Sequence, residues 1–306
     1  MSPEEIYVFG RLIIMAYGQH QSFYLRDRWL NKAIKHLKED NRFFYDKEAF
    51  EKIGLGKNMV QSLRFWVVAT GVVEEKFNEN RKKVHLLTPL GELIYKYDKF
   101  IQFRDTAAII HYNLSKDIEP ATTWFWFFNE FSETAIAKED LNAALNDWVS
   151  IHEDKKISHR SLKRDIDCLV KLYTAGQSIL DPEEVIQSPI NKINILRESK
   201  GTIIKKVPSI SDVGLTALFF TLLKYAEEQG IDNVSVDEIA TRHGLWGNIF
   251  NMNRAVIVNA LELLTAHPKY PIKFTRTNNL DTVRLPGISP LKYLEFEYKR
   301  KVETLV

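Results

Sequence analysis

The segment 50–98 constrains the fold of this chain more than any other part of the sequence. It contains the turn Gly54-Leu55-Gly56, followed by apolar residues at helical spacing, namely Met59, Val60, Leu63, Val67 and Val68. Gly71 ends that pattern, and the apolar residues on both sides of the polar segment 78–81 indicate a β-hairpin. The order of helix, turn, helix and hairpin predicts a winged helix-turn-helix unit, whose second helix enters a DNA groove.

The helix that begins at Lys57 is the predicted reader of DNA. Its polar residues on or near the outward face are Lys57, Asn58, Gln61, Ser62 and Arg64. Asn and Gln side chains pair with adenine edges, and Arg pairs with guanine or phosphate. The tip of the wing carries three cations, Arg81, Lys82 and Lys83, which suit contact with phosphates or the minor groove. The alternative interpretation is a solvated helix face in a scaffold that contacts protein.

A second group of cations opens the helix predicted at 158–174. His159, Arg160, Lys163 and Arg164 lie in its first two turns, where the helix dipole favours acidic residues. An external anion would offset that cost, so the hypothesis is that Arg160 and Lys163 contact phosphate. The alternative is that Ser158 caps the helix and that Asp165 and Asp167 partly offset the charge.

No catalytic site, metal site or cofactor is expected. Cys168 is the only cysteine, which excludes a disulfide within the chain and a cysteine metal cluster. None of the eight histidines has the HxxxH spacing of a metal site. The segment Gly54 to Asn58 lacks the longer loop and the Ser or Thr of a phosphate-binding loop. We therefore expect a binding protein and not an enzyme.

Charge and hydropathy give weaker constraints. The net charge is +2, distributed as +4 over 1–110, −4 over 111–200 and +2 over 201–306. Basic ends are compatible with DNA contact, whereas an acidic middle and a nearly neutral total favour the scaffold alternative. There is no 18-residue apolar run and no signal-peptide pattern. We expect a cytoplasmic protein without a membrane partner.

The rest of the chain predicts a mainly α, multi-domain protein with small β-hairpins. Helices are expected at 3–18, at 22–37 and through most of the middle, and the aromatic run Trp124 to Phe128 is expected in the core. A second order of helices and hairpin over 213–286 predicts another winged-helix-like unit. The expected domains are 1–104 (N-terminal helices plus winged helix), 105–176 (helical middle), 177–210 (linker or irregular segment) and 211–306 (C-terminal winged-helix-like domain).

Several segments also carry a family resemblance. They are Gly18 to Arg26 with Trp29 and Leu30, Gly54 to Val60 with Arg64-Phe65-Trp66, Trp124 to Phe131, Arg164-Asp165-Ile166-Asp167 with Tyr173, and Gly247 to Phe250. Together they resemble a bacterial family of unknown function. Its members are encoded beside phosphoadenosine-phosphosulfate-reductase-like proteins in DNA phosphorothioation and related phage-defence loci.

The resemblance implies a cellular setting and, together with the predicted winged helix, a function. The leading hypothesis is a DNA-binding accessory protein that positions double-stranded DNA for a sulfur-transfer partner of the phosphoadenosine-phosphosulfate-reductase-like type. One alternative is a transcriptional regulator of its own operon. Another is a protein–protein scaffold that uses its winged helices without contacting DNA. The sequence gives no oligomeric state.

Overall fold

The structure, a computed structural model, describes residues 7–8, 11–12, 15–175, 187–277 and 280–305. Over these residues the chain is mostly helical, with small antiparallel sheets of two or three strands. The predicted fold class is confirmed at this level. None of the helices in these ranges is both long and apolar enough to cross a membrane.

The first described elements are two short strands, β1 (Tyr7–Val8) and β2 (Arg11–Leu12), which pair with each other. The helix predicted over 3–18 is therefore wrong at these four residues. Gly10 lies between the strands in the sequence, and glycine disfavours the interior of a helix.

The N-terminal helices surround a two-stranded hairpin. The elements are α1 (Trp29–Glu39), a 3-10 turn (Phe43–Tyr45), α2 (Ala49–Ile53), α3 (Lys57–Ala69), β3 (Val73–Phe77), β4 (Lys83–Leu87) and α4 (Pro89–Tyr97). The helix predicted from residue 22 begins only at Trp29, because Ser22 and Arg28 have φ values of 69° and 65°. Thr88 caps α4 by accepting a 3.0 Å hydrogen bond from the Gly91 N–H.

The middle of the chain is helical and carries a three-stranded sheet. Its elements are α5 (Arg104–Ser115), α6 (Thr122–Phe125), a π-helical turn (Trp126–Glu130), β5 (Ala135–Ala137), α7 (Lys138–His152), α8 (His159–Thr174), a 3-10 turn (Asn191–Ile193), β6 (Leu196–Ser199) and β7 (Thr202–Lys205). The sheet order is β5-β7-β6, so its central strand pairs with residues nearly 70 positions earlier. The aromatic run is buried as predicted: Trp124, Trp126, Phe127 and Phe128 are at most 2% exposed.

The prediction of an irregular linker over 177–210 is wrong for the second half of that segment. Residues 176–186 lie outside the described residues, but β6 and β7 form a regular hairpin within the segment. Lys200 and Gly201 have φ values of 48° and 79°, the conformation that a tight hairpin turn requires. The three prolines in the segment favoured an irregular structure, so the sequence did not predict these strands.

The C-terminal part contains a second group of helices around a small sheet. Its elements are α9 (Ile210–Val213), α10 (Leu215–Gln229), β8 (Asn233–Ser235), α11 (Val236–Thr241), α12 (Trp246–Ile249), α13 (Arg254–Thr265), β9 (Lys273–Thr275), β10 (Thr282–Arg284) and α14 (Pro290–Leu305). The sheet order is β8-β10-β9. Gly214, with φ of 93°, separates α9 from α10 at the point where a Cβ would lie 2.1 Å from the Asp105 carboxylate.

One buried apolar cluster runs through all these parts. It includes Trp66 from α3, Phe127 from the middle and Leu261 from α13. The C-terminal helix returns to the beginning of α5, where Tyr298 bonds Thr106 and Lys301 bonds Asp105. The predicted domains therefore share a continuous core, and their boundaries stay a prediction.

Candidate nucleic-acid interface

The outward face of α3 is formed by three of the predicted residues. Lys57, Asn58 and Gln61 are exposed in the first two turns of the helix, at spacings that place them side by side. Gly56 is at the N-cap position and makes no side-chain cap. The Lys57 ammonium lies 4.8 Å from the centroid of the Phe50 ring, so a cation–π contact steadies it on the surface.

Ser62 is not part of this face, and its prediction as a DNA contact is wrong. Its side chain is fully buried, and its hydroxyl donates a 3.1 Å hydrogen bond to the Phe23 carbonyl. Trp66 donates its indole N–H to the same carbonyl at 2.9 Å. The two residues are one helical turn apart, and together they attach α3 to the segment that precedes α1.

Arg64 points towards the hairpin and is already bonded within the protein. Its Nη2 donates to Glu75 Oε2 at 2.5 Å and to the Tyr45 hydroxyl at 2.8 Å. Its guanidinium also lies 4.7 Å from the centroid of the Tyr45 ring. The side chain is 36% exposed, so one edge faces solvent while the other is bonded to the hairpin.

Glu75 joins α3 to the hairpin β3–β4. Its second oxygen accepts a 2.5 Å hydrogen bond from Lys83 on the facing strand. Partial burial raises the pKa of Glu75, but the hydrogen bonds from Lys83 and Arg64 outweigh it and hold that pKa down to about 2. At neutral pH Glu75 is therefore an anion between two cations, and it fixes the hairpin against α3.

His85 lies behind this network and is completely buried. Neither ring nitrogen has a hydrogen-bond partner among the described residues, although Nε2 is 3.4 Å from Glu75 Oε2. Burial, with the Arg64 charge adding to it, lowers the pKa of His85 to about 4. The ring is therefore neutral at physiological pH and serves as packing against the rings of Phe44 and Tyr45.

The tip of the hairpin presents two cations without ion pairs. Arg81 and Lys82 are exposed, and neither has an ion-pair partner within the described ranges of the chain. Backbone geometry holds them, because the Arg81 N–H donates to the Asn78 carbonyl and the Lys82 N–H to the Asn78 side chain, both at 2.9 Å. Lys83 is half-exposed and shared with Glu75. The turn thus holds Arg81 and Lys82 in fixed positions, together with the exposed carboxylate of Glu79.

The cations predicted on α8 form a separate surface. Arg160 and Lys163 are both exposed, and the first turn of α8 contains no acidic residue. Lys163 lines a groove of about 550 Å³ between α7 and α8, with Lys138 and Asn142 on the α7 side. Lys138 is paired with Asp167 at 2.7 Å, which reduces the positive charge of this groove.

Comparison with known proteins gives the family. The sequence profile of a family described as "Protein of unknown function (DUF4007)" matches residues 17–298. The chain belongs to this family. No curated protein matches the sequence.

Solved structures show the same fold as this DUF4007 chain. The crystal structure of magnesium ion-bound SspB is 18% identical, covers 94% of this chain and 87% of its own, and superposes with a TM-score of 0.81. A second SspB crystal structure is 19% identical, with the same coverage and a TM-score of 0.80. At these identities the similarity concerns the fold alone.

Among the described residues of this DUF4007 chain, the candidate interface contains no cluster of metal-binding side chains. Within the part of the chain that the structure describes, no group of three or more His, Cys, Asp or Glu side chains is placed to hold a metal ion. The acidic residue at the candidate interface, Glu75, is neutralised by two cations. A carboxylate bonded in this way is a poor ligand for a divalent cation, because two positive charges already occupy its oxygens.

Two of the segments that carry the family resemblance meet in the structure. Asp165 Oδ1 accepts hydrogen bonds from His20 Nε2 at 2.7 Å and from the Gly18 N–H at 2.8 Å. Its Oδ2 accepts a 2.9 Å bond from the Thr123 hydroxyl. The Ser22 N–H donates to His20 Nδ1, which fixes the tautomer with hydrogen on Nε2. These residues order the core and do not form part of the interface, because the side chains of Asp165, His20 and Thr123 are buried.

Sequence reasoning missed two residues of the candidate interface. Glu75 gives no sequence signal because its partners, Arg64 and Lys83, lie 11 and 8 positions away and meet it only when the hairpin folds. Phe77 was also missed, although it is an exposed aromatic residue four positions before the cations Arg81, Lys82 and Lys83. An apolar residue next to a predicted turn tip was the available signal.

Proposed function

We propose that this chain is a DNA-binding accessory protein of a DNA phosphorothioation system or a related modification-based phage-defence system. The observation that carries the DNA-binding part is the fixed arrangement of α3 and the hairpin. The exposed start of α3 and the cationic hairpin tip are held in one relative position by Glu75. Neither Arg81 nor Lys82 has a partner among the described ion pairs, so both charges are available to phosphate.

In this proposal the segment from α2 to β4 is a winged helix-turn-helix. The helix α3 would lie in the major groove, with Asn58 and Gln61 near base edges and Lys57 near phosphate. Arg81 and Lys82 would contact the backbone or the adjacent minor groove and set the position of the protein without reading sequence. The elements from α10 to β10 follow a similar order and would form a second unit of this kind.

The cellular setting is supported by the family resemblance of the sequence. The SspB structures, which cover 94% of this chain, share its fold. We propose double-stranded DNA and a sulfur-transfer protein of the phosphoadenosine-phosphosulfate-reductase-like type as partners. The proposal assigns binding to this chain and no catalytic reaction. That the chain is not an enzyme stays a prediction.

The DNA-binding proposal is tested by fluorescence anisotropy with a labelled duplex at low salt. A triple variant should bind at least about tenfold more weakly, because three charge contacts are lost together. It combines Lys57→Ala, Arg81→Ala and Lys82→Ala. Lys292→Ala, an exposed cation on α14, is the matched control and should bind like the parent. Equal affinity of the triple variant and the parent would reject α3 and the hairpin as the DNA site.

A scaffold without DNA contact is the second candidate, and one observation favours it. Ser62 is buried and Arg64 is bonded within the protein, so Lys57 is the one predicted cation on the described face of α3 that remains outside an ion pair. A scaffold should retain the sulfur-transfer partner on a tagged column after nuclease treatment and show no affinity for duplex at low salt. Nuclease-sensitive recovery of the partner together with duplex binding supports the DNA-positioning proposal instead.

A further inference from the structure

Phe77 is an exposed aromatic residue at the outer end of the hairpin. It is the last residue of β3, and 68% of its surface is open to solvent. Most of the described aromatic side chains are either buried in the core cluster or packed against it, whereas this ring lies outside it. A single exposed aromatic residue does not by itself indicate a function, so the case for Phe77 depends on the residues around it.

The register of the hairpin shows which way Phe77 faces. Side chains alternate along a strand, so Phe77 is on the same face as Glu75. That face is directed towards α3, because Glu75 is bonded to Arg64. Cross-strand partners share a face, so Lys83 is also on this side, whereas Leu86 is on the opposite one. Phe77 therefore lies on the face of the hairpin whose residue Glu75 bonds to α3.

The ring is presented by a rigid and cationic frame. Phe77 pairs with Lys83 as the final rung of the ladder, and the Asn78 N–H donates to the Lys82 carbonyl at 2.9 Å just beyond it. The Lys83 ammonium lies 5.8 Å from the ring centroid. Arg81 and Lys82 follow in the turn and attract a polyanion to the position of the ring.

An apolar ring next to Lys83, with Arg81 and Lys82 in the adjoining turn, matches the chemistry of a DNA groove. Phosphates lie at the edges of the minor groove and stacked bases at its floor, and minor-groove proteins insert apolar side chains between base steps there. A duplex supplies a phosphate for both Arg81 and Lys82 wherever it binds, whereas a protein partner would have to place a carboxylate at each of these positions or bury unpaired charges. Charge complementarity therefore favours duplex DNA as the occupant.

We propose that Phe77 is a wedge that enters the minor groove, partly unstacks one base step and bends the bound duplex. The inference rests on the proposed DNA-binding function and adds a mechanical role to the wing. Flexible pyrimidine–purine steps should accept the wedge most readily, which would give a sequence preference without hydrogen bonds to bases.

The test is a bending measurement on a duplex of about 30 base pairs with a central TA step. Fluorophores at the two ends report bending by energy transfer, and 2-aminopurine beside the TA step reports unstacking. The parent should bend the duplex by roughly 20–90° and raise the 2-aminopurine signal. Phe77→Ala should lose both responses and bind about tenfold more weakly, while keeping salt-dependent binding.

Two control variants separate a wedge from a general surface effect. Phe77→Trp should keep the bend, because it retains a stacking ring. Leu86→Ala removes an apolar side chain from the other face of the same hairpin and should behave like the parent. Both changes are at exposed positions, so circular dichroism should show unchanged folding.

The outcomes distinguish failure of the wedge from failure of the proposed function. If the parent binds duplex without bending it, or if Phe77→Ala bends it as the parent does, the wedge is rejected and DNA binding stands. If the parent does not bind duplex at low salt, the proposed function is rejected and the wedge with it.

Discussion

At the scale of single residues, Asp165 shows how one carboxylate orders distant parts of the chain. It is 1% exposed and accepts hydrogen bonds from residues more than 40 and more than 140 positions away. A buried donor that loses its acceptor retains its full desolvation cost. Asp165 therefore stabilises the position of the segment before α1, and Ser62 and Trp66 of α3 bond to a carbonyl in that same segment.

Replacing Asp165 by Ala should lower the free energy of unfolding by about 3 kcal/mol or more, since the partners His20, Gly18 and Thr123 would be left without an acceptor. Urea denaturation measures this loss. Asp167→Ala is the matched control two residues away. It removes only a half-exposed ion pair with Lys138 and should cost less than about 1 kcal/mol. Equal losses in the two variants would contradict the importance of the buried cluster.

At the scale of elements, the hairpin is positioned at its base as well as by Glu75. Gly91 in α4 lies against the chain just before β3, and a Cβ at Gly91 would be 2.0 Å from the Val72 carbonyl oxygen. The obstructing atom belongs to the backbone, so it cannot move aside as a flexible side chain would. The close approach of α4 to the hairpin therefore requires glycine at this position.

The substitution Gly91→Ala should destabilise the protein by about 2 kcal/mol or more, because the helix and the strand must move apart. Thermal or urea unfolding checks the size of the effect. Gly287→Ala provides the control, since a Cβ there meets no atom of the described chain within 4 Å. A Gly91→Ala protein as stable as the control variant would show that α4 and the hairpin do not pack as described.

The elements also show what the sequence was able to predict. Helical periodicity located α3, and the polar turn located the hairpin β3–β4, because both signals are local. The burial of Ser62 was not predictable in this way, since its acceptor, the Phe23 carbonyl, lies 39 positions earlier. The pairing of β5 with β7 likewise joins distant residues, and only the folded chain brings them together.

At the scale of the whole molecule, two buried histidines couple stability to pH. His111 donates from Nε2 to the Ile249 carbonyl and accepts at Nδ1 from the Tyr173 hydroxyl, both at 2.7 Å, so it joins α5, α8 and α12. Burial lowers the pKa of His111 to about 4, as it does for His85. Both rings must stay neutral in the folded protein.

Acid should therefore begin to destabilise the protein at pH values well above the pKa range of ordinary carboxyl groups. The folded-state pKa of about 4 lies below the unfolded value of 6.5, so the unfolded chain takes up protons first as the pH falls. The stabilisation from neutral histidine is complete above about pH 6.5 and is lost as the pH falls towards 4, at roughly 3 kcal/mol per residue. Urea denaturation between pH 7.5 and pH 4.5, in steps of about one unit, measures this.

The substitution His85→Leu supplies the comparison. Neither nitrogen of His85 has a hydrogen-bond partner in the described part of the chain, so Leu leaves no bonded group unsatisfied there. The variant should keep most of its stability at pH 7.5 and lose about half of the acid dependence, because His111 remains. A parent protein whose stability is constant from pH 7.5 to pH 4.5 would contradict this role of the buried histidines.

The central proposal, that α3 and the hairpin together bind duplex DNA, is tested most directly by the salt dependence of binding. Contacts from Lys57, Arg81, Lys82 and Lys83 should give a slope of log K against log salt of roughly −3 to −4. Replacing the first three by Ala should make the slope less steep by roughly 3. A slope near zero for the parent, or an identical slope for the variant, would contradict the proposal.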